Sequence, residues 1–211
     1  MEPVRNINLL AFQPSVSKET IDSFPKAEFR GNLHLIDNNE LLAQAVDELS
    51  GYRAIGFDTE TRPSFRKGEQ HDVALLQLST ENDCYLFRMN KIGLPSSLVG
   101  ILENKSILKV GLSVLDDIRA LRKRAKFNAE SFIELQRLCP AYGIKDASLQ
   151  KIYAIIYQEK ISKSQRLTNW EAQDLTVSQQ EYAALDAWAS LRIFNKLMEL
   201  PAPSPIQFAL I

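Results

Sequence analysis

The strongest constraint on the fold lies between residues 53 and 89. RAIGFDTE (53–60), VALLQLST (73–80) and CYLFRM (84–89) follow one another with no helical period between them. The last two are separated only by Glu81, Asn82 and Asp83, which predicts an antiparallel hairpin. Beyond residue 95 the pattern changes. SSLVGILEN reads as a helix, SILKVGLS as a strand and DDIRALRKRAK as a helix. Helical stretches follow from Phe132 and Ser148, and a final helix runs from about Ser178 to Glu199. Antiparallel strands followed by βα alternation predict an α/β fold with one mixed sheet covered by helices.

Upstream, LHLI (33–36) reads as a short strand, and Asn39 as the cap of a helix through ELLAQAVDEL that ends at Gly51. Residues 1–30 contain Pro3, Pro14 and Pro25 without sustained periodicity and read as an N-terminal arm. Residues 31–200 form the single domain. Pro201, Pro203 and Pro205 stop the last helix and open a tail over 201–211. No apolar run approaches the ~20 residues of a membrane-spanning helix. The opening MEPVRNINLLAFQPS lacks the features of a secretory signal. Cys84 and Cys139 are too few and too far apart for a disulfide framework or a zinc site, so they read as reduced, buried thiols of a cytoplasmic protein.

Three groups of residues point to chemistry. In GFDTE, Asp58 and Glu60 are two apart on a strand, so both carboxylates leave the same face where the buried strand emerges. In EYAALDAW, Tyr182 and Asp186 are four apart on a helix and share a face. Ala183, Ala184, Ala187 and Ala189 keep that helix slim enough for close approach to the sheet. Asp117, in KVGLSVLDDIRAL, begins a helix after a strand and a Gly-Leu-Ser turn. Taken singly, each group has an ordinary reading: a solvated strand end, a helix with one exposed acid and one core tyrosine, or acids complementing a helix N-terminus. Asp116 has only that last role.

The order is more specific than the parts. D-x-E on an early strand, an Asp after a strand-to-helix turn, then Y-x-x-x-D on the last helix resembles the four-carboxylate (D-E-D-D) 3′–5′ exonuclease superfamily, tyrosine subtype. Within it the chain resembles the exonuclease domain of the Werner-syndrome protein and, more distantly, ribonuclease D. The likeness covers residues 30 to 200 and takes in VALLQLST, CYLF, KVGLSVLDD, SLQKI and RLTNW. One departure is visible: relatives often carry an aromatic after the D-x-E, where this chain has Thr61 and Arg62.

The resemblance implies a ribonuclease-H-like fold and metal-dependent hydrolysis of phosphodiester bonds at DNA or RNA 3′ ends. It implies two Mg²⁺ or Mn²⁺ ions, with Asp58 bridging, Glu60 and Asp186 completing the first site and Asp117 serving the second. Two such ions, roughly 3.5–4 Å apart, suit an in-line displacement at phosphorus. Tyr182 would orient the attacking water, because a phenol with a reference pKa near ~10 is a poor base at neutral pH.

Neither histidine takes a part in this scheme, and His71 reads as a surface residue. The formal net charge of −1 is no footprint of a strong duplex binder, yet a local basic rim can still hold phosphates. Arg62, Arg66 and Lys67, directly after Glu60, are placed for phosphate contacts, and Phe65 for stacking on a terminal base. Arg166 joins them from RLTNW, where Trp170 reads as packing. Arg119, Arg122, Lys123, Arg124 and Lys126 mostly read as a solvated helix face. The main rival is a catalytically silent nucleic-acid-binding or scaffold protein on the same fold, and a second is an endonuclease or transferase on the same sheet. All four acids and the tyrosine favour the exonuclease. DNA against RNA, strand preference, oligomeric state and any partner protein are not written in these motifs.

Overall fold

The computed structural model describes residues 12–203. The ends of the arm (residues 1–11) and of the tail (204–211) lie outside the described residues. A short helix α1 (Lys18–Asp22), capped by the Ser17 side chain, interrupts the segment read as an arm. Val16 and Ala27 on either side of it are buried.

Six strands form one sheet. They are β1 (Asn32–Ile36), β2 (Ala54–Thr61), β3 (Val73–Ser79), β4 (Asp83–Arg88), β5 (Leu108–Gly111) and β6 (Phe132–Glu134), in the order β1-β4-β3-β2-β5-β6. The central β4-β3-β2 trio is antiparallel, whereas β1 on β4, β5 on β2 and β6 on β5 pair in parallel. This is the mixed α/β sheet that the segment order predicts. Three local expectations are corrected. The segment from Phe132 begins as a strand in register with Lys109, Val110 and Gly111, and only then turns into the four-residue helix α6 (Leu135–Leu138). Helix α5 (Val114–Leu121) ends well before Lys126. The cap of α2 (Asn39–Ser50) is Asn38, whose side chain accepts from the Glu40 and Leu41 amides.

Alternation sorts the strand residues between two faces. Ile55, Phe57, Leu76, Leu78, Tyr85 and Phe87 join a core with α2, α5, the one-turn helix α3 (Met89–Ile92) and the helix α4 (Ser96–Glu103). On the opposite face lies α8 (Val177–Met198), the longest helix, with α7 (Leu149–Tyr157) beside it. Ala183 and Ala184 pack there against Leu75, Cys84 and Leu86. No helix among the described residues is long and apolar enough to cross a membrane.

The seat of α8 on β2 is unusually close. A Cβ built on Gly56 would stand 2.0 Å from the carbonyl oxygen of Ala187 and 2.7 Å from its carbonyl carbon. Only a residue without a side chain fits between strand and helix backbones at this distance. The Gly56→Ala variant should therefore lose stability by at least the ~1–3 kcal/mol typical of overpacked cores, because backbone cannot rotate out of the way. At ~2–4 °C per kcal/mol, thermal unfolding should fall by roughly 2–12 °C. A variant that melts with the wild type would show that α8 does not sit this close.

Candidate active site

The site is built where β2 leaves the core under the N-terminal half of α8. Gly56, Asp58 and Glu60 share the face of β2 turned to that helix. Asp186 stands one residue before Ala187, whose carbonyl meets Gly56. The contact that fixes the helix height thus also sets the acid above the strand. Asp58, Glu60 and Asp186 each bring a carboxylate oxygen within 4.8 Å of the others. Glu60 and Asp186 are buried and Asp58 half-buried.

Tyr182, one turn before Asp186, is buried with its ring 6.1 Å from that of the fully buried Trp170. The start of α8 is locked by a capping box between Thr176 and Gln179. The Gln179 amide also donates to Thr168 Oγ1 at 3.0 Å, tying the RLTNW segment to the helix. Buried Arg88 of β4 donates to the Ala172 carbonyl, holding the chain just after that segment. Trp170 is therefore packing, as its sequence context suggests.

Asp117 arrives from the other side. It rides on α5, and its Oδ1 accepts a 2.6 Å hydrogen bond from Thr59 Oγ1. Thr59 leaves β2 on the face opposite to Asp58 and Glu60. Asp117 is near enough for its charge to raise the pKa of both Asp58 and Glu60. It is nevertheless not within the 4.8 Å trio.

Crowded acids in a poorly solvated place resist ionisation. Burial, then the charges of Asp186, Asp117 and Glu60, hold the Asp58 carboxyl well above the usual range. Burial, then Asp186 and Asp117, push Glu60 up to about 9. Burial raises Asp186 to about 7, against the hydrogen bond from Tyr182 and the charge of Lys163. Burial raises Asp117 to about 6, partly offset by Thr59. The Tyr182 phenol is pushed far above its ordinary value, first by burial and then by Asp186 and Glu60. It is a donor, not a base. Three hard oxygen donors that repel one another fit a divalent cation, which would stabilise the ionised forms together.

The basic residues divide. Arg66, Lys67 and Arg166 are exposed, and Phe65 is 79% exposed on the loop between β2 and β3. Arg62 is committed to an ion pair with Glu171 at 3.3 Å. His71 is not a plain surface residue: half-buried, it lies 3.2 Å from both Glu171 and Glu69, so Glu171, directly after RLTNW, holds both ends of the loop. Arg119 pairs with Asp116, while Arg122 and Arg124 donate to the Phe127 and Val73 carbonyls. Sequence reasoning missed Lys163, whose charge acts on Asp186 as that of Arg166 acts on Glu60. Its place three residues before Arg166 in KSQRLTNW was the available signal. Gln77 was missed as well. It is buried directly across the strand pair from Asp58, with both amide atoms unpartnered among the described residues.

A family model described as a 3′–5′ exonuclease matches residues 33–200. The chain is 33% identical over 190 residues to the bifunctional 3′–5′ exonuclease/ATP-dependent helicase WRN of Mus musculus, covering 85% of this chain and 14% of that protein. Its fold is similar to the Aedes aegypti Nibbler EXO domain, with a TM-score of 0.74 at 22% identity, over 87% of this chain and 99% of that one. Escherichia coli RNase D matches with a TM-score of 0.72 at 26% identity, over 80% of this chain and 44% of that one. The chain spans no more than 55% of the length of the first three curated relatives.

The raised carboxyls set a pH dependence. Each binds a proton in the fold that the unfolded chain releases near ~4. Without metal, the stability that these three acids contribute is therefore full below about pH 4 and is lost as pH rises through about 6 for Asp117, about 7 for Asp186 and about 9 for Glu60. Each group contributes at most ~1.4 kcal/mol per pH unit inside its window. Melting temperature in chelator should drop between pH 5 and 8, and saturating Mn²⁺ should flatten the drop. A metal-free profile that is level over this range would contradict the clustered-acid reading.

Proposed function

The chain belongs to the 3′–5′ exonuclease family, and from that membership we propose that it hydrolyses phosphodiester bonds at nucleic-acid 3′ ends with divalent metal, the working unit being residues 31–200. The observation that carries this reading is the convergence of Asp58, Glu60 and Asp186 within 4.8 Å, with Tyr182 one helical turn away. We assign Asp58 as the shared ligand, Glu60 and Asp186 as its companions and Asp117 as the ligand of a second Mg²⁺ or Mn²⁺. Bound there, the cations supply charge stabilisation to the attacking and leaving oxygens of the displacement.

The protein's own groups position the reactants. Tyr182, protonated at any working pH, directs the attacking water through its hydroxyl. A groove of about 380 Å³ opens beside that tyrosine, between residues 27–29, residues 162–165 and the Ser178–Glu181 edge of α8. Its volume suits a small organic ligand, and here it would seat the terminal nucleoside. Lys163 and Arg166 neutralise phosphate charge at the acids, and Arg66 and Lys67 grip the strand behind. Phe65, projecting from its loop, offers an unsaturated face for base stacking. Arg62 instead fixes that loop through Glu171. Both cysteines are buried and unpaired, which fits work in a reducing, cytoplasmic compartment.

A panel of end-labelled single- and double-stranded DNA and RNA, digested with Mg²⁺ or Mn²⁺, tests the reading. Stepwise loss of nucleotides from the 3′ end is expected. Asp58→Asn or Asp186→Asn should lower the rate by about 10³-fold or more while leaving the fold intact, since several kcal/mol of charge stabilisation are lost. Tyr182→Phe should slow the chemical step by roughly 10²-fold through misplaced water. Binding of every substrate without cleavage of any would favour the silent nucleic-acid-binding alternative.

A further inference from the structure

Two residues outside the four-acid set hold Asp117, the acid that arrives on a separate element. The first is Thr59. Its hydroxyl donates to Asp117 Oδ1 at 2.6 Å, and the other carboxylate oxygen has no hydrogen-bond partner among the described residues. The second is Glu134, at the end of β6. The residue before α5, Ser113, sits in the left-handed region at φ 61° and makes no side-chain cap. Glu134 takes over that function from 20 residues away: Oε1 accepts from the Ser113 amide at 3.0 Å and Oε2 from the Val114 amide at 2.9 Å. A third bond, from the Gln136 amide at 3.1 Å, fixes the carboxylate to its own turn.

We propose that Thr59 and Glu134 form a two-point clamp that positions Asp117 as a ligand of the second metal ion. This rests on the exonuclease reading of the site. Glu134 sets where α5 begins, and so where Asp117 stands one turn along. Thr59 sets how the carboxylate is turned, leaving one oxygen uncommitted. A non-glycine residue at positive φ is strained, and it persists where surrounding bonds over-determine it. The bidentate cap of Glu134 supplies such bonds. Both donors of orientation are therefore anchored in the sheet, Thr59 on β2 and Glu134 on β6. The sheet fixes the fourth acid relative to the other three even though α5 and α8 lie on opposite faces.

Calorimetric titration with Mn²⁺ in the absence of nucleic acid separates this from a purely structural role. Wild type is expected to bind two ions, the weaker one dependent on Asp117. Thr59→Val, which keeps the shape and removes the hydroxyl, should weaken that site by about 10–100-fold and leave the tighter one unchanged. Thr59→Ser should restore it. Glu134→Gln, which loses one of the two caps, should have the same effect in smaller degree. Unchanged affinity at both sites in Thr59→Val and Glu134→Gln, with only a lower melting temperature, would overturn the clamp. A wild type that binds no Mn²⁺ would instead remove the exonuclease reading on which the clamp depends.

Discussion

The contact between Gly56 and the carbonyl of Ala187 is the constraint on which the site depends. The acids of β2 and α8 belong to elements more than a hundred residues apart, and among the described residues no hydrogen-bond network joins them directly. What joins them is the height at which one helix rests on one strand. Four alanines around Asp186 and a glycine under the helix make that height small. The capping box at Thr176 and Gln179 then fixes where α8 begins, and hence which residue occupies the position over β2. A bulkier neighbour on either side would lift Asp186 away from Asp58 and Glu60.

Close packing has an electrostatic consequence. Withdrawing three carboxylates from water and placing them within 4.8 Å of each other disfavours their charged forms. The fold offsets this only in part, with Lys163 and Arg166 on the loop above, so the site is a poor resting place for its own charges. Hydrophobic burial elsewhere on α8, from Ala183 through Ile193 to Leu197, keeps the helix seated despite that repulsion. A structure stable enough to hold mutually repelling acids is one whose preferred ligand carries concentrated positive charge.

Much of this was legible in the sequence because it depended on local periodicity. The two-residue spacing of Asp58 and Glu60, the four-residue spacing of Tyr182 and Asp186, and the hairpin around Asn82 each follow from the geometry of one element. What was not legible depended on distant partners. The apolar stretch from Phe132 has helical spacing, yet pairing with β5 draws its first three residues into the sheet. Of two adjacent asparagines, only the approach of the chain decides that Asn38 and not Asn39 caps α2. The basic run after Leu121 looks like a solvated helix, but Arg122 and Arg124 turn back to satisfy backbone carbonyls. Arg62 and His71 carry no mark of Glu171, which is 109 and 100 residues away. Thr59 hides for the same reason: its partner Asp117 lies 58 residues on.

The central claim is that these acids are a metal site assembled by the seating of α8. A crystal soaked in Mn²⁺ and measured at a wavelength where manganese scatters anomalously tests it most directly. Two anomalous peaks roughly 3.5–4 Å apart are expected, the separation that in-line phosphoryl chemistry requires. One should touch Asp58, Glu60 and Asp186, and the other Asp58 and the Asp117 side. Peaks elsewhere on the surface, with the cluster containing only water, would contradict the account.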